Sequence, residues 1–260
     1  MILRAAARSD VGRRRRTNED RHGEDPTLGL FLVADGMGGH TAGQVASGIA
    51  IEAMLEAVRA YSAGGSLTER LRGAVARSNE QIFQAAVARP ELTGMGTTLV
   101  ALLVAGDRAA VAHVGDSRVY RVRAGRIRQL TDDHSLVGEL QRRGEISAAA
   151  AREHPHRHVL TRALGVRIEV EPDLGELTLE SDDVFVLCSD GLTLHVRDEE
   201  IEKAVAGEPD LDGACRRLVA LANARGGEDN VTVLLVRCEE CAGGGLFADV
   251  SGVSRPESAR

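Results

Sequence analysis

Three separated stretches of this chain share one construction: a short apolar run, fit for a buried strand, that ends on an aspartate. Phe31-Leu32-Val33-Ala34 delivers Asp35, with Gly36-Met37-Gly38-Gly39-His40 following at once. Val111-Ala112-His113-Val114-Gly115 leads to Asp116, and Val184-Phe185-Val186-Leu187-Cys188-Ser189 leads to Asp190 and Gly191. Near the C-terminus the order reverses, with Glu228-Asp229-Asn230 ahead of Val231-Thr232-Val233-Leu234-Leu235-Val236, and Asn18-Glu19-Asp20 stands just after a basic run. One Asp-Gly is an ordinary turn signal. Its recurrence at strand ends changes the reading, because strands that share a sheet edge would gather Asp20, Asp35, Asp190 and Asp229 in one place. Hard divalent cations such as Mg²⁺ and Mn²⁺ favour that all-oxygen environment.

Such a cluster has a definite chemistry. Two cations held by shared carboxylates and waters can generate hydroxide for in-line displacement at phosphorus. The Gly36 carbonyl is a natural further oxygen ligand, since glycine lets the backbone approach closely. Arg15, four residues before Glu19, can offer a bidentate fork to phosphate oxygens. His40 can supply a proton to a leaving alkoxide. The other histidines read differently: His113 as a satisfied core residue, and His134, His154, His156, His158 and His195 as loop and surface residues. Met37 and Met95 read as packing, and Thr97 and Thr98 as satisfying backbone groups in a tight turn.

Composition narrows the partners. The formal charge is −7, which argues against general attraction to nucleic acid. Aromatic residues make up 2% of the chain and Trp is absent, which disfavours base-stacking surfaces. Neither a secretory signal nor an apolar run of about 18 residues is present, so no membrane anchor is expected. The four cysteines form no disulfide framework, and Cys238 with Cys241 makes a CxxC that lacks a second pair. A reduced cytosolic setting and a monomer are the expectations.

Hydrophobic spacing sets the elements. Leu3–Val11 reads as a strand, residues 21–29 as a polar loop, and 30–35 as the strand that carries Asp35. Helical spacing runs from Thr41 to Ala60, and Ser66 with Glu69 caps a second helix to Ala88. Leu99–Val104, Ala109–Val114, Ser117–Val122 and Arg126–Leu130 read as an antiparallel meander. Short helical pieces and a His-rich loop fill 132–166. Strands return at Glu169–Leu179 and Val184–Ser189, helices at Asp198–Ala206 and Leu211–Arg225, and a closing strand at 231–238. Residues 240–260 have no period and read as a flexible tail.

In order along the chain stand Val11-Gly12-Arg13-Arg14-Arg15-Arg16-Thr17-Asn18-Glu19-Asp20, Val33-Ala34-Asp35-Gly36-Met37-Gly38-Gly39-His40 and Gly94-Met95-Gly96-Thr97-Thr98. Gly115-Asp116-Ser117-Arg118, Leu160-Thr161-Arg162-Ala163-Leu164-Gly165, Ser189-Asp190-Gly191-Leu192-Thr193 and Glu228-Asp229-Asn230-Val231-Thr232 follow. Through these pieces the chain resembles the metal-dependent Ser/Thr protein phosphatases of type 2C (the PPM family) in their compact bacterial form. The resemblance implies an α+β fold: a four-layer αββα sandwich of two antiparallel sheets flanked by helices. It implies a phosphatase domain over 1–239, with a flap at about 135–165 that contributes to substrate choice. It also implies a binuclear Mn²⁺ or Mg²⁺ centre. Asp35, Asp190 and Asp229 would hold one ion, and Asp35, the Gly36 carbonyl and the Glu19–Asp20 pair the other, with Asp20 the direct ligand. Arg15 would bind the substrate phosphate and His40 would be the general acid. A metal-bridging water would attack phosphorus directly, and Asp116 would help hold a third, weaker ion. Substrates would be phosphoproteins made by a Ser/Thr kinase. Two positions depart from the family pattern: Leu194 stands where Asp or Asn is common, which bears on the third ion, and His158 stands where Asn is usual. A pseudophosphatase that only binds phosphoproteins is the alternative, against which the complete carboxylate set argues. A phosphodiesterase or nuclease is disfavoured by charge and composition.

Overall fold

Apolar residues on both faces of a strand require a cover on both sides, and the computed structural model, which describes residues 1–39, 41–61, 65–208 and 210–239, supplies it with two sheets and two helical layers. Along the chain, β1 (Ile2–Asp10), β2 (Asp20–Asp25) and β3 (Leu30–Met37) precede α1 (Thr41–Ala60) and α2 (Leu67–Ala88). A single 3-10 turn, Pro90–Leu92, leads to β4 (Gly96–Thr97), β5 (Leu99–Ala105), β6 (Arg108–Val114), β7 (Arg118–Arg123) and β8 (Arg126–Gln129). Then come α3 (Leu136–Arg142), α4 (Ala148–Glu153), β9 (Asp173–Thr178), β10 (Val184–Cys188), α5 (Asp190–Thr193), α6 (Asp198–Gly207), α7 (Leu211–Ala224) and β11 (Val231–Glu239).

One sheet has the order β1-β11-β10-β7-β8 and the other β2-β3-β5-β6-β9, with β4 added beside β3, and every pairing is antiparallel. The chain's two outermost strands meet, since β1 pairs with β11 from Ile2↔Glu239 to Asp10↔Val231. Alternation along β3 shows how the layers form. Phe31 and Val33 point between the sheets and meet Phe185, Leu187, Leu234 and Val236 of the other sheet. Leu30, Leu32 and Ala34 point outward to α1 and α2, where Ala42, Ala46 and Ala50 let the first helix lie close. Val186, Val233 and Leu235 face α6 and α7 in the same way. The stack is helix, sheet, sheet, helix.

Local signals position these elements. Ser66 Oγ accepts from the Glu69 N–H at 3.2 Å while the Glu69 carboxylate accepts from the Ser66 N–H at 2.8 Å, the reciprocal cap read from the sequence. Ser135 and Ser147 cap α3 and α4 in the 132–166 segment.

Three expectations are corrected. Residues 21–25 of the stretch read as a polar loop join Asp20 in edge strand β2, whose partly exposed polar residues hide the period-2 signal. The expected meander breaks between β6 and β7, which lie in different sheets. Gly115, at φ +108°, makes the switch, and a Cβ there would fall 2.6 Å from Thr98 Cγ2. The strand read over Glu169–Leu179 shortens to Asp173–Thr178. The tail 240–260, and with it Cys241, lies outside the described residues, whereas Cys238 is buried in β11. Among the described residues no helix is long and apolar enough to cross a membrane.

Candidate metal centre and active-site cleft

The register of β2 against β3 sets Asp20 directly opposite Asp35. Directly paired residues share a face with their Cβ atoms about 5 Å apart, and like charges there destabilise a sheet. The arrangement therefore costs stability unless something positive sits between the carboxylates. Asp20 is 1% exposed; Ser189 Oγ, at the end of β10 in the other sheet, donates to its Oδ2 at 2.7 Å. The second oxygen, Oδ1, is buried without a hydrogen-bond donor, and the same is true of Asp190 Oδ1 at the start of α5. Buried carboxylate oxygens with no donor are expensive, and oxygen-seeking cations are the partners that fit them.

Asp35 is aimed by its backbone. Its N–H donates to Thr98 Oγ1 at 3.0 Å, and its carbonyl accepts from the Thr98 N–H at 2.9 Å and from Thr97 Oγ1 at 2.8 Å. Thr98 Oγ1 in turn lies 2.7 Å from Ser117 Oγ, which ties β3 to the Gly115–Ser117 switch. Asp229 Oδ1 accepts from the Asn230 N–H at 2.8 Å, and its Oδ2 meets the Arg15 guanidinium at 2.7 Å.

Close backbone packing seats Glu19. Its N–H donates to Asn230 Oδ1 at 2.8 Å and its carbonyl accepts from Ser47 Oγ at 2.6 Å. A Cβ on Gly43 would fall 2.0 Å from Glu19 Oε2, and one on Gly36 would fall 2.1 Å from the Gly43 carbonyl. Only glycine at both positions lets α1 press its first turn against the end of β3. Asn230 also donates from Nδ2 to the Val11 and Thr17 carbonyls, each at 3.0 Å, so one side chain holds the loop that presents Arg15.

Electrostatics follow the crowding. Burial, reinforced by Asp190 and Asp229 and partly offset by the Thr232 and Ser189 hydroxyls, raises the Asp20 pKa to about 7. Asp35 and Asp116 are pushed well above the usual carboxylate range, first by burial and then by neighbouring aspartates. Asp229 is raised by burial and by Asp190, with Asn230 and Arg15 working against the shift.

A cleft of about 400 Å³ opens over these groups. Arg15, Glu19, Asp35, Gly36, Asp116, Asp190 and Asp229 all line it, so the fold brings together the residues singled out from the sequence, save Asp20, which lies beneath, and His40, which lies outside the described residues. The two departures from the family pattern line the same cleft. Leu194 presents no oxygen beside Asp116 and Asp190, and His158 Nδ1 stands 3.8 Å from Asp190 Oδ2.

His134, expected at the surface, is buried at 3% exposure beside His113 at 1%, with ring centroids 4.2 Å apart. With Asp173 they offer ligand atoms within 4.8 Å of one another. Their hydrogen bonds argue against a cation there. His113 Nε2 donates to the Gly115 carbonyl at 2.8 Å, and His134 Nδ1 accepts from the Gly115 N–H at 3.1 Å. That fixes the His134 proton on Nε2, 3.1 Å from Asp173 Oδ2, where a metal would need a lone pair. Burial lowers both imidazole pKa values, His113 to about 4. The pair acts as a neutral clamp on the turn that carries Asp116. Pattern reasoning named Ser189, Ser47, Asn230 and His134 at most in passing, because their roles arise from contacts made 19 to 219 positions away in the chain.

The chain has known counterparts. A profile described as protein phosphatase 2C matches residues 12–234. The serine/threonine phosphatase stp of Listeria welshimeri is 42% identical over 240 residues, which cover 90% of this chain and 95% of that protein. The crystal structure of the serine/threonine phosphatase PstP/Ppp of Mycobacterium tuberculosis superposes with a TM-score of 0.86 at 42% identity, covering 92% of this chain and 100% of that one. The catalytic domain of PstP in complex with two manganese ions superposes with a TM-score of 0.84 at 40% identity, covering 92% of this chain and 99% of that one. With sequence and fold aligned over the same span, the chain belongs to the protein phosphatase 2C family.

Proposed function

We propose that this protein is a metal-dependent phosphatase that hydrolyses phosphoserine and phosphothreonine in protein substrates, opposing a Ser/Thr kinase. The observation that carries the reading is the pair of buried, donorless oxygens on Asp20 and Asp190 within a cluster of aspartates that face one cleft. Relatives named serine/threonine phosphatases, and a related structure with two manganese ions, support it.

Asp35, Asp190 and Asp229 would hold one Mn²⁺ or Mg²⁺ ion, and Asp35, the Gly36 carbonyl, Asp20 and Glu19 the other. When bound, the ions supply positive charge to the phosphoryl oxygens and acidify water to give the nucleophile, so no phosphoenzyme is needed. The protein's own groups do the rest. Thr97 and Thr98 fix the direction of Asp35, and Asn230 holds the loop that offers the Arg15 guanidinium to the phosphate. His40 would donate the proton that the leaving serine or threonine oxygen requires. Asp116 would help hold a third ion, weakly, because Leu194 adds no oxygen. A module that only binds phosphoproteins has no use for so costly a cluster.

The finer setting follows from composition. A net charge of −7 suits protein rather than nucleic-acid partners, and the unpaired, buried Cys188, Cys215 and Cys238 suit a reducing cytoplasm. A monomer is the simplest state.

Release of phosphate from a phosphothreonine peptide, with and without Mn²⁺, tests the reading. Metal-dependent release that Asp229→Asn removes is the expected result. A folded, metal-loaded protein that releases none would overturn it.

A further inference from the structure

Exposed large hydrophobic side chains are few among the described residues, and three of the seven, Val159, Val166 and Ile168, lie in one short stretch. A concentration of this kind marks an interaction surface more often than chance. The stretch borders a groove of about 320 Å³ whose apolar wall is Met37, Leu160, Ala163, Val166 and Val170. Met37 and Leu160 also line the cleft over the carboxylates, so groove and cleft adjoin.

The groove is built rather than incidental. Gly96 of β4, buried and paired with Met37 of β3, packs against two of its wall residues. A Cβ at Gly96 would fall 2.7 Å from Met37 Cε, 2.9 Å from the Leu164 carbonyl and 3.0 Å from Val166 Cγ2, so any larger residue would displace that wall. The loop that carries the exposed residues is held in place by one buried side chain of α2. Asn79 Nδ2 donates to the Arg167 and Ile168 carbonyls, each at 3.0 Å, and Asn79 Oδ1 accepts from the Gly165 N–H at 2.8 Å. Two backbone bonds between Leu164 and Thr97 anchor its start. Of the four charged residues that line the groove, Arg162 pairs with Asp173 and Glu171 with Arg72, which leaves Arg167 and Glu169 as its polar edge. A fixed, exposed apolar wall costs no ordering entropy when something docks on it.

We propose that this groove seats one apolar side chain of the substrate polypeptide, of leucine or isoleucine size, close in sequence to the phosphorylated residue. The inference rests on the phosphatase reading and adds a substrate preference to it. Spacing limits the position. Met37 lies two residues beyond Asp35 on the same face of β3, about 7 Å along the strand, a distance that one or two residues of extended substrate span.

The test uses the Mn²⁺-loaded protein and two series of phosphothreonine peptides, in which alanine or leucine is scanned through the positions flanking the phosphothreonine. At one position leucine should raise kcat/KM about tenfold over alanine. Val166→Ser should reduce that ratio to near one. Equal rates for the two peptides at every position, or a leucine preference untouched by Val166→Ser, would overturn the proposal. So would a concentration-dependent dimer that Val166→Ser abolishes, because the groove would then belong to a second copy of the chain. Hydrolysis of the alanine peptide reports separately on the phosphatase reading. Should neither peptide be cleaved, the ratio of their affinities by fluorescence anisotropy decides the groove on the same terms.

Discussion

At the scale of single residues, charge repulsion and charge pairing compete in the cleft. Asp190 carries a buried oxygen with no donor and adds repulsion to Asp20, Asp35, Asp116 and Asp229. Asp190→Asn should therefore lower kcat by about a thousandfold or more while leaving the melting temperature of the metal-free protein unchanged or higher. Phosphate release and thermal unfolding in chelator check both halves; a destabilised variant would contradict the electrostatic account. Arg15 behaves differently. It is half-exposed and pairs with Asp229 at 2.7 Å, so it stands ready at the cleft mouth without supporting the core. Arg15→Ala should raise KM by about tenfold and change kcat less, as expected for a contact made mainly in the bound ground state. A loss confined to kcat in initial-rate kinetics would contradict it. These residues were legible because Asp35, Asp116 and Asp190 each close an apolar run, Asp229 stands just ahead of one, and Arg15 stands four residues before Glu19. Asn230 and Ser189 were present in the same motifs, but nothing local shows that Asn230 bonds to Val11 and Thr17 or that Ser189 reaches Asp20.

Elements show where pattern reading stops. Thr41–Ala60 and Leu67–Ala88 coincide with the helical spacing, because their buried faces recur every three to four residues and Ser66 marks a boundary. β2 escaped notice, since an edge strand made of Asp20, Arg21, His22, Gly23, Glu24 and Asp25 has no apolar alternation to read. The separation of β6 from β7 escaped as well, because a Gly-Asp-Ser turn looks the same whether the next strand pairs with the last one or crosses to another sheet. That crossing matters for function, and His134 is what holds it. Its backbone N–H donates to the Gly115 carbonyl at 2.7 Å while its ring accepts from the Gly115 N–H. His134→Ala should raise the Mn²⁺ concentration needed for half-maximal activity by about three- to tenfold, in the manner of an outer-shell partner, with kcat at saturating Mn²⁺ little changed. A full activation curve distinguishes this from simple destabilisation, which would lower the maximum instead.

For the whole molecule, the metal-free site sets a stability that depends on pH. Asp20 titrates near pH 7 when folded, against about 4 in an unfolded chain, and Asp35 and Asp116 shift in the same direction. A carboxyl group with a raised folded pKa binds more protons in the native state. The stability it lends is therefore present below about pH 4 and is lost as pH rises toward 7 and beyond. For Asp20, with the repulsion of Asp190 and Asp229 included, the loss is on the order of a few kcal/mol. The melting temperature in chelator should fall by on the order of 10 °C across that window, after allowance for other groups. Mn²⁺ should restore more stability at pH 8 than at pH 5, because ions bind the ionised form. A melting temperature in chelator that rises with pH through this range would refute the argument.

The pairing of β1 with β11 has a practical consequence. Asp10 and Val231 mark the end of that ladder near Asp229, whereas Ile2 and Glu239 meet eight residues away, at the far end of the same two strands. The distance is about 27 Å at the usual rise per residue. A fluorescent protein or affinity handle fused before Ile2 is therefore carried at the pole opposite the cleft. So is a short linker that joins Glu239 to Ile2 in a circular permutant. The enzyme can be tethered, labelled or immobilised at that pole with its substrate path left open.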